Sequence, residues 1–189
     1  MATATCPTPD EPLLTAEEFA RRPDPGHAEE LVRGRVIRMP PPGFRHGEVC
    51  AQVVFLLKLH LMAHDLGRVV SNDSGVVTER GPDSVRGPDV AFYRYDRLGR
   101  DATPRGYPDV APDMVFEVLS PDDRWPKALA KVAEYLGAGV VAVALLDPER
   151  RTLHLFEAEA PVRILSGADE LALPVILGPF RVAVDQFFC

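Results

Sequence analysis

The sequence predicts an α/β domain in which a central mixed β-sheet is flanked by helices, with an N-terminal hairpin and C-terminal strands. Three observations lead there. Residues 140–146 (VVAVALL) are a continuous apolar run of strand length, the pattern of a strand covered on both faces. Residues 44–66 repeat apolar side chains at helical spacing through Val49, Val53, Leu57 and Leu61. Strand-like and helical segments follow one another without an internal repeat or a linker, which suits one sheet with helices packed on it.

Residues 1–12 are rich in Pro and Thr and are expected to be a disordered leader, so residues 13–189 form the single domain. Thr15 is an N-cap with Glu18 three residues later, the capping-box spacing, and Pro23 to Gly26 end that short helix. Residues 30–39 (ELVRGRVIRM) alternate apolar and basic side chains around Arg33 and Gly34 and read as a hairpin. The long helix follows and is expected to stop at Gly67. Short strands are expected at 69–71 and 76–79 with residues 72–75 as the turn, then at 89–95 after Gly87 and Pro88. Residues 96–112 form a charged loop, 114–119 a strand, and 124–136 a helix. Asp122 or Asp123 is the expected cap of that helix, and Pro126 sits in its first turn, where proline is tolerated. After 140–146, a turn at 147–150 leads into a strand at 152–156, and two or three short strands reach Phe188.

Composition is that of an ordinary globular protein, with 46% hydrophobic and 26% charged residues. The net charge of −7 argues against a protein that coats nucleic acid non-specifically, but it leaves room for a local basic groove. The longest apolar stretches, 53–57 and 140–146, are too short to span a bilayer, and the first residues lack the pattern of a signal peptide. Cys6, Cys50 and Cys189 have no metal-type spacing and no disulfide framework is expected, which places the chain in a reducing cytoplasm. Only three of the 21 basic residues are lysines, Lys58, Lys127 and Lys131, so a lysine at a particular position is informative.

The chemistry is carried by carboxylates. In the strand 114–119, Met114, Phe116 and Val118 share one face and Val115, Glu117 and Leu119 the other. A carboxylate between Val115 and Leu119 needs a partner: a metal ion, a basic side chain or a proton. The chain has seven Pro-Asp dipeptides, but only Asp89 opens a β pattern with a strand-borne Glu 28 residues later. Two converging carboxylates suit Mg²⁺ or Mn²⁺, which take oxygen ligands and activate water for phosphodiester attack. On the following helix, Trp125, Leu129, Val132 and Leu136 form the expected core stripe. Lys131 lies at its flank one turn before Tyr135, leaning back toward the strand that bears Glu117.

Taken together, ELVRGRVI, His46 at a helix start, RGPDVAF, PDMVFEVLSPDD, KVAEYLGAGV and VALLDPERRTLHLF resemble the Uma-two family of restriction-endonuclease-like proteins, within the PD-(D/E)XK superfamily. The match runs in order from about residue 13 to the C-terminus, and EVLSPDD followed by Lys131 and Tyr135 is its most specific part. The resemblance implies a restriction-endonuclease-like core and a divalent-metal nuclease acting on DNA, often as a homodimer. It implies Asp89 and Glu117 as metal ligands, with the backbone carbonyl of Val118 as a further ligand, and Lys131 as the catalytic lysine. It also implies Glu30, His46 and Tyr135 as accessory residues lining the cleft. Two departures stand out: the superfamily lysine two residues after the glutamate is replaced by Leu119, and Lys127 stands where relatives often have an acidic residue.

His60 and His64 have i, i+4 spacing but lack a third ligand or a general-base Glu between them, so structural histidines are the better reading. Loop 93–107 interleaves Tyr93, Tyr95 and Tyr107 with Arg94, Arg97, Arg100 and Arg105, which can grip phosphates and stack bases, although solvated loops share that composition. No glycine-rich phosphate loop or serine nucleophile elbow is present. The competing readings are a nuclease-fold domain that binds nucleic acid or protein without catalysis, favoured by the acidic charge and Leu119, and a hydrolase of another phosphate ester.

Overall fold

The computed structural model describes residues 12–121 and 123–189. The expected leader and the Asp122 cap therefore lie outside the described residues, apart from Pro12. Helix α1 (Ala16–Ala20) opens with the capping box anticipated: Thr15 Oγ1 accepts from the Glu18 N–H while Glu18 accepts from the Thr15 N–H. Strands β1 (Glu29–Val32) and β2 (Arg35–Arg38) form the hairpin. Its two turn residues both adopt the left-handed region, Arg33 at φ 48° and Gly34 at φ 75°, which matches the right-handed twist of the strands.

Helix α2 (Phe44–Ala63) buries Val49, Val53 and Leu57. It ends at Ala63, earlier than expected, because Gly67 is the first residue of strand β3 (Gly67–Ser71) rather than a helix stop. A Cβ on Gly67 would lie 2.1 Å from the Tyr93 carbonyl oxygen, so the neighbouring strand needs a glycine there. Strands β4 (Val76–Glu79), β5 (Ser84–Arg86), β6 (Val90–Arg94) and β7 (Met114–Val118) follow. Residues 72–75 do not close a hairpin: β3 pairs with β6 in one sheet, and β4 pairs with β5 in another. Asn72 and Asp73, both at positive φ, carry the chain across.

Helix α3 (Trp125–Gly137) has Pro126 in its first turn as expected. Arg124 stands at its N-cap without a side-chain bond, and Asp123 instead accepts from the Ser120 N–H, so Asp123 is not the cap. The buried face of α3 is Val132 and Tyr135, whereas Leu129 is 42% exposed. The core stripe is thus rotated toward Lys131, which lies on the covered side and not at its flank. Strands β8 (Ala142–Asp147), β9 (Thr152–Glu157) and β10 (Arg163–Ser166) come next. The chain closes with β11 (Glu170–Leu171), α4 (Pro174–Leu177), β12 (Val182–Ala183) and a 3₁₀ helix (Val184–Phe188).

Among the described residues the main sheet has six strands in the order β10-β9-β8-β7-β6-β3, and β7–β8 is its parallel pair. Met114, Phe116 and Val118 of β7 face α2 and the C-terminal residues Leu171, Phe187 and Phe188, while Val115 faces Val132 and Tyr135 of α3. A four-stranded antiparallel sheet, β2-β1-β5-β4, contains the hairpin and packs Leu31 and Val85 against Ala16. The fold is therefore the mixed α/β architecture expected, with a second sheet that the sequence did not announce.

Asp83 joins this second sheet to α1. Its Oδ2 accepts from the Ala16 N–H at 2.8 Å and the Arg80 guanidinium at 2.9 Å, and its Oδ1 from the Gly81 N–H at 3.2 Å. The bond from Ala16, helped by those from Gly81 and Arg80, holds its carboxyl below the ordinary aspartate value. Replacing Asp83 by Ala is expected to cost about 1–3 kcal/mol at neutral pH. A depressed carboxyl contributes its stability above the unfolded value of about 3.9 and loses it as pH falls through the lower folded value. The Tm gap between wild type and variant, followed by circular dichroism, should accordingly narrow below about pH 4.

Candidate active site

The site forms where β6 begins and β7 ends. These strands pair antiparallel, with Val90 opposite Phe116, so Asp89, just ahead of β6, meets the end of β7. Its Oδ2 accepts from the Val118 N–H at 2.6 Å. Its Oδ1 lies 3.3 Å from Nε2 of His46, in the first turn of α2. The approach of residues 72–75 to this strand mouth requires Gly87, because a Cβ there would sit 2.8 Å from the Asp73 Cβ.

Glu117 points from β7 toward α3, as strand alternation requires. The Tyr135 hydroxyl donates to its Oε1 at 2.7 Å, and the Lys131 ammonium stands 3.4 Å from both carboxylate oxygens. Lys131 also pairs with Oε1 of Glu30 at 2.9 Å, and Glu30 is buried on β1. Behind Glu30, the buried Arg86 of β5 donates to Glu30 Oε2 at 2.8 Å and holds Glu134 of α3 through two bonds of 2.6 and 2.7 Å. The structure thus brings Glu117, Lys131, Tyr135 and Glu30 into one cluster, with Asp89 and His46 joined at the strand end.

These groups perturb one another. Burial pushes the Glu117 carboxyl up to about 7; Lys131 opposes that rise and the Asp89 charge adds to it. Burial works against charge on Glu30, but Lys131 and Arg86 outweigh it and hold its carboxyl below the ordinary value. Burial likewise works against the Lys131 ammonium, yet the charges of Glu117 and Glu30 keep it protonated beyond the usual lysine range. His46 is raised, since Asp89 more than offsets the effect of burial. Asp73 is raised by burial and by Asp89.

Three contributors were not anticipated. Arg86 lies in the short strand β5, and nothing local in SVRGPD marks an arginine that will be buried. Asp73 falls in the stretch whose local pattern is that of a hairpin turn. Cys50, whose Sγ lies 3.5 Å from His46 Nδ1, is legible in the sequence as the i+4 neighbour of His46, although its spacing to the other cysteines marks no metal site.

The chain matches, over residues 16–185, the family profile Uma2, described as "Putative restriction endonuclease". That span is most of the chain. This protein belongs to the Uma2 family. Among solved structures, it resembles a crystal structure described as "a putative nuclease belonging to DUF820" from Anabaena variabilis. Identity is 20% and the TM-score 0.78, and the match covers 93% of this chain and 97% of that one. That likeness shows a shared fold. No curated protein matches the sequence.

Leu119, two residues after Glu117, offers no charge, and it is Lys131 of α3 that brings an ammonium to the Glu117 carboxylate from across the strand end. Lys127, the other departure, is exposed on the outer side of α3, and nothing in the structure explains it. The arginines of loop 93–107 are largely engaged with the protein. Arg94 bonds the Val175 and Ile176 carbonyls, Arg97 the Gly139 carbonyl, and Arg100 pairs with Asp65 over the Tyr95 ring. His60 bonds the Leu177 carbonyl and stacks near His64, consistent with structural histidines.

Two stability measurements test the electrostatics. Lys131→Met strips two buried carboxylates of their shared ammonium and is expected to cost about 3–5 kcal/mol. Glu117→Gln behaves differently. Because the folded carboxyl is raised above the unfolded value of about 4.3, wild type loses stability as pH climbs from there to about 7. In chelator-treated protein, the Tm of Glu117→Gln relative to wild type should therefore be higher at pH 8 than at pH 5. A pH-independent difference rejects this account.

Proposed function

We propose that this Uma2 protein is a metal-dependent endonuclease that hydrolyses DNA phosphodiester bonds. The observation that carries the reading is the convergence of the Glu117 carboxylate, the Lys131 ammonium and the Asp89 strand mouth at one end of the main sheet. The donor chemistry fits a hard divalent cation: Asp89 and Glu117 offer oxygens, and burial leaves Glu117 costly to ionise without added positive charge. Asp89, Glu117 and the Val118 backbone carbonyl are the residues that would hold Mg²⁺ or Mn²⁺. When bound, such an ion supplies Lewis-acid polarisation of the phosphate and a more acidic water.

The chain's own residues supply the rest. Lys131, held by Glu30, places an ammonium beside Glu117, where it can orient the attacking water or stabilise negative charge developing on the phosphate. Glu30 and Arg86 hold the lysine in place, so little reorganisation is needed during reaction. Tyr135 fixes one oxygen of Glu117 through its hydroxyl. His46 and the Val118 N–H orient Asp89 between them.

The expected homodimer belongs to the same reading, and the outer face of α2 supports it. Phe44, Phe55, Leu59 and Met62 are exposed there, from 54% to 85%. Two copies of α2 packed antiparallel about the level of Val53 would set Phe44 against Met62, Gly47 against Leu59, Ala51 against Phe55 and Glu48 against Lys58. That pairing is self-complementary in size and in charge, as an isologous contact requires. Among the described residues, no helix is long and apolar enough to cross a membrane. Among the described residues Cys50 and Cys189 are free, and a cytoplasmic setting is part of the same proposal.

Nicking of supercoiled plasmid in Mg²⁺ or Mn²⁺ tests the activity. Asp89→Ala, Glu117→Ala and Lys131→Met should each lower the rate by about 100-fold or more, and EDTA should abolish it. Activity that survives both carboxylate substitutions rejects the assignment. For the dimer, light scattering should give twice the chain mass for wild type and a single chain for Phe55→Glu. A monomeric wild type rejects that interface.

A further inference from the structure

Asp89 has a second set of neighbours, on the α2 side of the sheet. His46 and Cys50 are four residues apart on α2 and so project from one face of the helix. Cys50 Sγ lies 3.5 Å from His46 Nδ1, and His46 Nε2 lies 3.3 Å from Asp89 Oδ1. One potential ligand atom from each of the three residues lies within 4.8 Å of the other two. Ligand bonds of about 2.0–2.3 Å around a tetrahedral ion put neighbouring donors roughly 3.3–3.8 Å apart. The Nε2–Oδ1 contact has that spacing, while the thiol faces the opposite ring nitrogen and joins the same ion from within the 4.8 Å span.

The donor set is informative. Mg²⁺ takes oxygen ligands and is poorly served by a thiol and an imidazole. Zn²⁺ and Co²⁺ accept sulfur, nitrogen and oxygen together, and three protein ligands leave a fourth position open to water or another ligand. Burial first, and then the charges of Asp89, Glu117 and Asp73, push the Cys50 thiol well above its ordinary range, so it holds its proton until a cation displaces it; the same three carboxylates favour a cation there. Asp89 is fixed for the purpose, because the Val118 N–H occupies Oδ2 and leaves Oδ1 directed at His46. The three side chains are each partly covered, neither sealed in the core nor free on the surface.

We infer that His46, Cys50 and Asp89 form a binding site for a borderline transition-metal ion of the Zn²⁺ and Co²⁺ class. It shares Asp89 with the proposed nuclease site but stands on two ligands which that reading does not use as ligands, and it does not depend on nuclease chemistry. Binding deprotonates the thiol: the S–H proton passes to solvent, a sulfur–metal bond forms, and no oxidation state changes.

Cobalt is the reporting probe. Titration of the reduced, metal-free full chain with Co²⁺ should produce a near-ultraviolet thiolate-to-cobalt charge-transfer band, with visible bands of a tetrahedral ion. Cys50→Ser should remove the charge-transfer band, and His46→Ala should weaken Co²⁺ binding by about tenfold or more. Cys189→Ser and Glu117→Gln should keep the band, and a large excess of Mg²⁺ should not bleach it. Absence of the band in wild type, or its persistence in Cys50→Ser, overturns the inference. Failure of the nuclease reading shows itself separately, as lack of plasmid nicking in Mg²⁺ by a protein whose cobalt spectrum is intact.

Discussion

The Lys131 ammonium, lying 2.9 Å from Glu30 and 3.4 Å from Glu117, ties two consecutive elements, β7 and α3, to the distant strand β1. Glu30 comes from β1 in the small sheet, Glu117 from β7 in the main sheet, and Lys131 from the helix between them. Removing these charges from water costs several kcal/mol for each ion, and mutual attraction repays it only when the geometry is good. Here Arg86 improves that geometry by gripping Glu30 on one side and Glu134 of α3 on the other. The result is a braced charge cluster whose members have little freedom to rearrange. Both the stability of the strand end and the chemistry proposed for it depend on that bracing.

Asp89 is the hinge between two kinds of environment. It stands at the mouth of β6, where the chain enters the sheet, so its carboxylate can serve both sides of the strand end. Toward α3 lie the Glu117 oxygens and an ammonium, a setting for a hard cation and a phosphate. Toward α2 lie an imidazole and a thiol, a softer setting. The single bond from the Val118 N–H fixes which oxygen looks which way. Membership of the Uma2 family and the shared fold agree with a nuclease scaffold, but a fold hosts many functions, and the argument for chemistry rests on these side chains.

Much of this was legible in local pattern. The Thr15–Glu18 capping box, the turn at Arg33 and Gly34, the Val49–Val53–Leu57 stripe and the alternation of Met114, Phe116 and Val118 against Val115 and Glu117 all follow from neighbours a few residues apart. Strand alternation alone placed Glu117 on the side away from Met114, and helical spacing placed Lys131 with Tyr135. Other features were illegible for the same reason. The expected stripe on α3 included Leu129, which is exposed, because hydrophobic spacing cannot tell which side of an amphipathic helix a second sheet will cover. Residues 72–75 look like a hairpin turn, but they cross between sheets.

By itself, then, the sequence determined the order and type of most elements, the strand face on which Glu117 sits, and the family to which the chain belongs, since these depend on periodicities of two and 3.6 residues and on short motifs. The tertiary structure decided what those residues meet. The pairing of Asp89 with Val118 and His46, the sharing of Lys131 between Glu30 and Glu117, and the recruitment of Arg86 all join residues from separate elements. Such contacts are selected by the free energy of packing two sheets and two helices around one strand end, and no local spacing records that choice.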